Sequence, residues 1–302
     1  MIDIAIIGGG PAGLAAGIYA CRAGVKTVLF EEIYAGGQIT KTENIENYPG
    51  FYEGIDGFTL ANKFETHARQ FGLQIEPQAV SAVELDVDPK RIHCGKDIFE
   101  ARRVILTMGA QPRKLGLLLE DEFVGAGISY CATCDGAFFR NKDVAVVGGG
   151  DTALTDALYL SRFAKSVTIV HRRNRFRASP ALQQAVMRND NIRLELDCVP
   201  KAIAGETHVS GLEIANVQTG ESKLLSVSGV FAAVGIEPRT ALVAGAVELT
   251  PSGYIVTDKR LKTSVEGVYA AGDVRDTPLR QVITAAADGA VAATMAIESL
   301  ME

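Results

Sequence analysis

The chain has 302 residues, 47% of them hydrophobic and 22% charged, with a formal net charge of −6. That balance belongs to a water-soluble globular protein. It leaves no phosphate-neutralising basic face, and no apolar run approaches the roughly 20 residues of a membrane span, so neither nucleic acid nor membrane is expected as a partner. Because single cores tend to stop growing near roughly 250 residues, two domains are expected.

In chain order, Met1 leads directly into an apolar run without the basic start and cleavage site of a signal peptide. A cytoplasmic setting is expected from this. Ile4 to Ile7 is short and β-branched, as for a parallel strand buried on both faces. It ends in Gly8-Gly-Gly-Pro-Ala-Gly13, followed by a helix-length segment and a second apolar run, Thr27 to Phe30. The whole pattern recurs from residue 144. Val144-Ala-Val-Val-Gly-Gly-Gly-Asp-Thr-Ala153 repeats Ile4 to Gly13, Tyr159 repeats Tyr19, and Val167 to Val170 repeats the second run. Each copy therefore reads strand, glycine turn, helix, strand.

This is the pattern of a dinucleotide-binding unit. Glycines let the backbone approach a pyrophosphate, and the helix start presents unpaired N–H groups to it. Gly8, Gly10 and Gly13 serve the first copy, and Gly148, Gly150 and Ala153 the second. The end of the second strand separates their ligands. Glu31 in the first copy suits a ribose diol and would repel a 2′-phosphate. The second copy instead carries His171-Arg172-Arg173, with Arg177 beyond; guanidinium forks match phosphate oxygens, a solvated basic loop being the other reading. The first site thus suits the adenosine of FAD or NAD, and the second suits NADPH.

Between the copies lies Ser129-Tyr-Cys131-Ala-Thr-Cys134-Asp135-Gly. Two residues between cysteines allow a small reversible disulfide, often of depressed thiol pKa. Half of a zinc site is the other reading, but the sequence has no second CxxC or CxxH to complete four ligands. Asp135 beside the pair could hold the proton a leaving thiolate needs, or could be a turn residue before Gly136. Cys21, Cys94 and Cys198 read as buried small hydrophobes, and His67, His93 and His208 as surface residues. A flavin site, a nicotinamide site and a dithiol in one chain define an electron path from NADPH through flavin to the disulfide.

These motifs together closely resemble the low-molecular-weight thioredoxin reductases, over essentially the whole chain. The matching runs are GGGPAG, Gly36-Gly-Gln-Ile39, Glu46-Asn-Tyr-Pro-Gly-Phe51, CATCDG, GGGDTA, HRRNRFR, Ala271-Gly-Asp-Val274 and Arg280-Gln-Val282. The resemblance implies an α/β chain with two Rossmann-like domains, the second inserted in the first. The FAD domain would comprise residues 1–112 and 241–302 and the NADPH domain 113–240, with hinges near 111–115 and 238–241. It further implies that Gly8, Gly10, Pro11, Ala12, Gly13, Glu31, Gly37, Gln38, Asn47, Gly109, Asp273, Arg280, Gln281 and Val282 hold FAD. Gly148, Gly150, Asp151, Thr152, Ala153, His171, Arg172, Arg173 and Arg177 would hold NADPH. Cys131, Cys134 and Asp135 would be catalytic, with Cys134 facing the flavin and Asp135 as the acid. Thioredoxin would be the partner and a homodimer the assembly. Since the dithiol would share the inserted domain with the nicotinamide site, rotation between domains is expected in the cycle.

Three places depart from the family pattern. Thr107-Met108-Gly109 replaces Ala-Thr-Gly, Thr155-Asp156 replaces Glu-Glu, and Ala137 replaces an aromatic, leaving Phe138 and Phe139 either as partner contacts or as core residues. The competing readings are a similar flavoprotein serving another partner, as a dithiol oxidase or a ferredoxin-fed reductase, and a non-catalytic nucleotide or redox sensor. The HRRNRFR cluster argues against ferredoxin as sole donor.

Overall fold

Apolar β-branched runs that end in glycine can be buried on both faces of a parallel sheet while helices return the chain between them. The computed structural model, which describes residues 1–42 and 44–301, follows that plan. Its first part is β1 (Ile2–Ile7), α1 (Pro11–Arg22), β2 (Thr27–Phe30), α2 (Gly57–Gln70), β3 (Gln74–Glu76), β4 (Ala82–Glu84), β5 (Lys90–Cys94), β6 (Asp97–Leu106) and β7 (Ala110–Pro112). There follow β8 (Ile128–Ser129), α3 (Ala132–Asp135), β9 (Asp143–Val147), α4 (Asp151–Leu160), β10 (Ser166–His171), α5 (Pro180–Met187), β11 (Ile192–Leu196), β12 (Cys198–Gly205), β13 (Val209–Asn216), β14 (Ser222–Leu225) and β15 (Gly229–Ala232). The chain ends with β16 (Ile236–Pro238), β17 (Val268–Ala270) and α6 (Val282–Met301).

Two compact units result, Met1–Gln111 with Glu237–Glu302, and Pro112–Ile236 between them. The boundaries fall after 111 and 236, where the sequence reading put them after 112 and 240. Local pairing explains the shift. The two crossings, β7 and β16, pair with each other as a ribbon. Residues past 236 already bond to the first unit, Gln111 Nε2 donating to Glu237 Oε1 at 2.9 Å and Arg239 N–H to the Gly109 carbonyl.

In the first unit β3-β2-β1-β6 run parallel, with β17 on the last residues of β6 and the β5-β4 hairpin antiparallel to its beginning. In the second unit β11-β10-β9-β15-β8 are parallel, and β12-β13-β14 form a separate antiparallel sheet. The repeat thus extends beyond its glycine motif: β9-α4-β10 copies β1-α1-β2, β11 copies β3, β15 copies the end of β6, and β8 takes the place of β17.

The expectation that no segment is long and apolar enough to span a membrane is corrected by α6. Its 20 residues pass that test by length and composition. The reason is its packing. Ala285, Gly289, Ala292, Ala293 and Ala296 form a buried stripe at helical spacing that lies in one core with Ala12, Ala16 and Ala20 of α1. A Cβ at Gly289 would collide with the carbonyl oxygen of Ala12, so the two helix backbones touch there. Gly289→Ala should therefore destabilise the protein by about 1–3 kcal/mol, against the gain of up to ~1 kcal/mol that alanine normally brings to a helix interior. Thermal and urea unfolding of the variant check the sign.

Candidate active site

At the first glycine loop, the need for glycine is steric. Gly8 has φ +108, and a side chain on it would strike the Thr107 carbonyl; one on Gly13 would strike the Gly8 carbonyl. Gly10 has no atom within 4 Å of its Cβ direction, leaving that side of the loop open. Neither α1 nor α4 has a side-chain cap at its start, which leaves the first-turn amides available to an anion. Glu31 Oε2 accepts from Gly9 N–H at 2.8 Å, so the carboxylate lies against the loop. Thr107 Oγ1 lies 2.9 Å from the Ile7 carbonyl and 2.7 Å from that of Gly8, and its hydroxyl hydrogen ties the loop to β6. The threonine that departs from the family pattern thus has a local structural job. Gly109, with φ +70, lets the chain turn out of β6.

The 36–37 turn comes against this loop from distant sequence, and other flavin candidates meet one another elsewhere in the same unit. Gly36 N–H donates to the Gly9 carbonyl at 2.7 Å, and a Cβ on Gly37 would lie 3.1 Å from Gly10 Cα. Gln38 beside them is exposed. Asn47 Nδ2 donates to Gln281 Oε1 at 2.9 Å, joining the NYPG loop to the start of α6, where Val282 is the first helical residue. Asp273 lies in the turn after β17. Burial pushes its carboxyl up to about 6, with Arg280 opposing the shift and Asp288 adding to it. Arg280 Cζ lies 4.3 Å from the centre of the Tyr254 ring, and its buried Nε has no hydrogen-bond partner among the described residues. A buried, unused donor at Arg280, together with the uncapped amides of α1 and the open edge at Gly10 in the same unit, fits a polar, phosphate-bearing cofactor such as FAD.

The sequence reading missed the ion pair that holds this turn. Arg275 Nε and Nη2 donate to the two oxygens of Asp288 at 2.6 and 3.0 Å, and Gly272 N–H donates to the same carboxylate at 3.1 Å. Asp288 sits well inside α6, so only the fold reveals the pairing.

The second loop repeats the logic with other neighbours. A Cβ on Gly148 would meet the Ala233 carbonyl and the Ala153 methyl, and one on Gly149 would strike the His171 ring. His171 is buried, stacked on Phe176 at 5.5 Å, with Nε2 3.1 Å from the Arg175 carbonyl. Burial first, then Arg173, Arg177 and Arg172, lower its pKa despite the Arg175 carbonyl. A neutral ring beneath the loop supports it, while the cleft beside the loop is lined by arginines. That cleft, of about 480 Å³, is bordered by Arg172, Arg173, Arg175 and Arg177 together with Asp197 and Gln218. The last two and Arg175 were not expected there. Arg177 N–H donates to the Gly149 carbonyl at 2.8 Å, fastening the arginine loop to the glycine loop. Asp151 Oδ1 accepts from Ser179 N–H at 2.8 Å, and Thr152 is exposed on the first turn of α4.

Cys131 and Cys134 are joined as a disulfide, their Cα atoms 5.3 Å apart, where the chain leaves β8 and enters α3. Both are partly accessible. Ser129 Oγ donates to Asp135 Oδ2 at 2.6 Å and accepts from Cys131 N–H at 3.1 Å. Tyr130 Oη donates to Glu120 at 2.7 Å, and the buried Glu120 also accepts from the amides of Leu115, Gly116 and Leu117. Burial, then Glu120, pushes the Tyr130 phenol far up. The residues flanking the pair are therefore fixed on both sides.

The fold decides between the readings of Phe138 and Phe139 and corrects those of Cys21 and His93. Phe139 is core: its ring packs on Phe231 at 5.2 Å, and only Phe138, 42% exposed, remains for a partner. Cys21 is half-buried, whereas Cys94 and Cys198 are buried. His93 is half-buried, with Nε2 2.8 Å from Glu84 Oε1.

The pyridine nucleotide-disulphide oxidoreductase family matches residues 2–289. A thioredoxin reductase from Treponema pallidum is 45% identical over 291 residues, 96% of this chain and 94% of its own. One from Mycolicibacterium smegmatis is 44% identical, over 99% of this chain and 97% of its own. The crystal structure of thioredoxin reductase from Streptococcus pyogenes superposes with a TM-score of 0.94 at 41% identity, covering 100% of this chain and 98% of that one. The chain belongs to the pyridine nucleotide-disulphide oxidoreductases, a class its paired glycine loops and bonded cysteines also define. Within that class it falls among the thioredoxin reductases of bacterial type.

Asp156, at the altered Thr155-Asp156 position of α4, is pushed up to about 6 by burial. Its folded pKa lies above the ~3.9 of an unfolded aspartate, so the folded state holds the extra proton between those values. Stability from this group is present at the acid end and lost as pH rises from about 4 to 6. Asp156→Asn should flatten that part of the stability curve, measured by urea midpoints across the range.

Proposed function

We propose that the chain transfers electrons from NADPH to the disulfide of thioredoxin by way of bound FAD and its own Cys131–Cys134 pair. The observation that carries this reading is the bonded pair in the same unit as the arginine cleft, in a chain whose other unit has a glycine loop that faces a carboxylate. When bound, FAD would supply the conversion of a two-electron hydride donor into a reductant for the disulfide.

The chain's own residues do the rest. The first-turn amides of α1, with Gly10 open beside them, would hold the FAD pyrophosphate, Glu31 the adenosine ribose, and Asp273, Arg280 and Gln281 the flavin side. Arg172, Arg173 and Arg177 would clamp the NADPH 2′-phosphate, and the α4 amides after Gly150 its pyrophosphate. Asp135 would carry the proton that one cysteine thiolate takes when the disulfide opens, and the dithiol would then exchange with thioredoxin. The exposed Phe138 gives a partner an aromatic contact beside the pair. Rotation of the inserted unit, a homodimer and a cytoplasmic setting belong to the same proposal and rest on the family resemblance.

Arg173→Ala should raise the NADPH KM about 10- to 100-fold and leave the NADH KM within about twofold, since only the 2′-phosphate contact is lost. Steady-state kinetics with both nucleotides would show it. The deciding experiment is an anaerobic NADPH titration of the flavoprotein, followed by thioredoxin. Uptake of about two hydride equivalents, reoxidation by thioredoxin, and about one equivalent in Cys134→Ser support the proposal. A flavin that stays oxidised overturns NADPH as the donor.

A further inference from the structure

Ser129 stands at the centre of a hydrogen-bond network that joins Cys131 to Asp135. Ser129 is 3% exposed and lies two residues before Cys131, at the end of β8. Three groups surround its hydroxyl: Cys131 N–H at 3.1 Å, Asp135 Oδ2 at 2.6 Å and the Cys131 carbonyl at 3.3 Å. A serine hydroxyl has one hydrogen to donate and two lone pairs to accept. The Cys131 N–H occupies one lone pair permanently. The hydrogen then has two possible acceptors, and the second lone pair faces the Asp135 carboxyl.

We propose that Ser129 is a positioning residue for Asp135, turning its hydroxyl hydrogen between the carboxylate and the Cys131 carbonyl as Asp135 loses and regains its proton. This rests on the proposed role of Asp135 as the acid. With Asp135 protonated, its O–H donates to Ser129 Oγ, and Ser129 donates to the Cys131 carbonyl. When a dithiol reductant attacks one sulfur, the bond between the two sulfurs breaks and the other sulfur leaves as a thiolate that takes the Asp135 proton. Closure of the reductant to its own disulfide then releases the second sulfur as a thiolate, which takes a proton from solvent. Asp135 is then a carboxylate, and the Ser129 hydrogen swings to Oδ2. In both protonation states the serine hydrogen is donated and the Ser129–Asp135 hydrogen bond persists with its direction reversed, so the carboxyl keeps its place through the proton transfer. The Cys131 carbonyl is not left unpaired by the swing, because it also accepts from the amides of Cys134 and Asp135 at 3.2 and 3.1 Å.

A double-mutant cycle separates this role from mere packing. Reduction of the Cys131–Cys134 disulfide by dithiothreitol is followed by alkylation and mass shift in the wild type, Ser129→Ala, Asp135→Asn and the double variant. No NADPH or thioredoxin is added. Ser129→Ala should slow reduction about tenfold, the order expected for loss of a hydrogen bond to a charged group. Asp135→Asn should slow it at least as much, and adding Ser129→Ala to it should cost no more than about twofold further. Ser129→Thr, which keeps the hydroxyl, should react faster than Ser129→Ala, whereas a tightly packed site would favour alanine. An equal cost of Ser129→Ala in both backgrounds, no cost at all, or a threonine variant slower than alanine overturns the proposal. Failure of the NADPH-to-thioredoxin reading would appear separately, as absent turnover in the wild type with the dithiothreitol cycle intact.

Discussion

The constraint on which the rest depends is the near-contact of backbone with backbone at the strand-to-helix turn. Gly13 sits where any side chain would strike the Gly8 carbonyl, Gly8 lies against Thr107, and Gly289 lies against Ala12. These approaches draw β1, β6, α1 and α6 together so closely that the helix start projects over the ends of the parallel strands. An anion can reach unpaired amides there only because no Cβ stands in the way. The same demand, met again at Gly148 against Ala233, explains why the motif could be duplicated as a block.

What differs between the two copies lies outside that shared skeleton. Glu31 bonds back to its glycine loop and presents a carboxylate, whereas His171 fills the corresponding space with a buried ring and leaves charge to the arginines beyond it. One backbone solution thus serves two ligand chemistries through the few residues that follow the second strand. The disulfide uses a third position. It follows β8, which occupies in the second unit the place of β17 in the first, where the chain continues into Gly272 and Asp273. In each unit an aspartate follows this strand within a few residues, Asp273 after β17 and Asp135 at the end of α3 after β8.

Much of this was legible because local pattern and fold coincide. A strand followed by a steric glycine turn writes itself into contiguous residues, and so does a CxxC pair. The repeat revealed both cores and both loops. What escaped was whatever depends on partners brought together by the fold. Arg275 with Asp288, Tyr130 with Glu120, and the cleft positions of Asp197 and Gln218 have no periodic signature. Phe139 could not be told from Phe138 by composition, since only the strand register around Phe231 decides which ring turns inward. The apolar length of α6 was misjudged because alanine and glycine count little toward an obvious hydrophobic run. Their small size, rather than their hydropathy, is what the packing against α1 needs.

The crossings β7 and β16 run as a two-stranded ribbon at the point where the chain passes between its units. The inserted unit begins at Pro112 and ends at Ile236, on strands bonded side by side, so its two ends are neighbours in space. A domain whose ends meet can enter a host chain without pulling the host's own segments apart. In evolutionary terms the second unit is a cassette. A copy of the ancestral nucleotide-binding fold could be spliced into a single turn, acquire its cysteine pair where β8 gives way to α3, and be exchanged for another insert while the host sheet keeps its order.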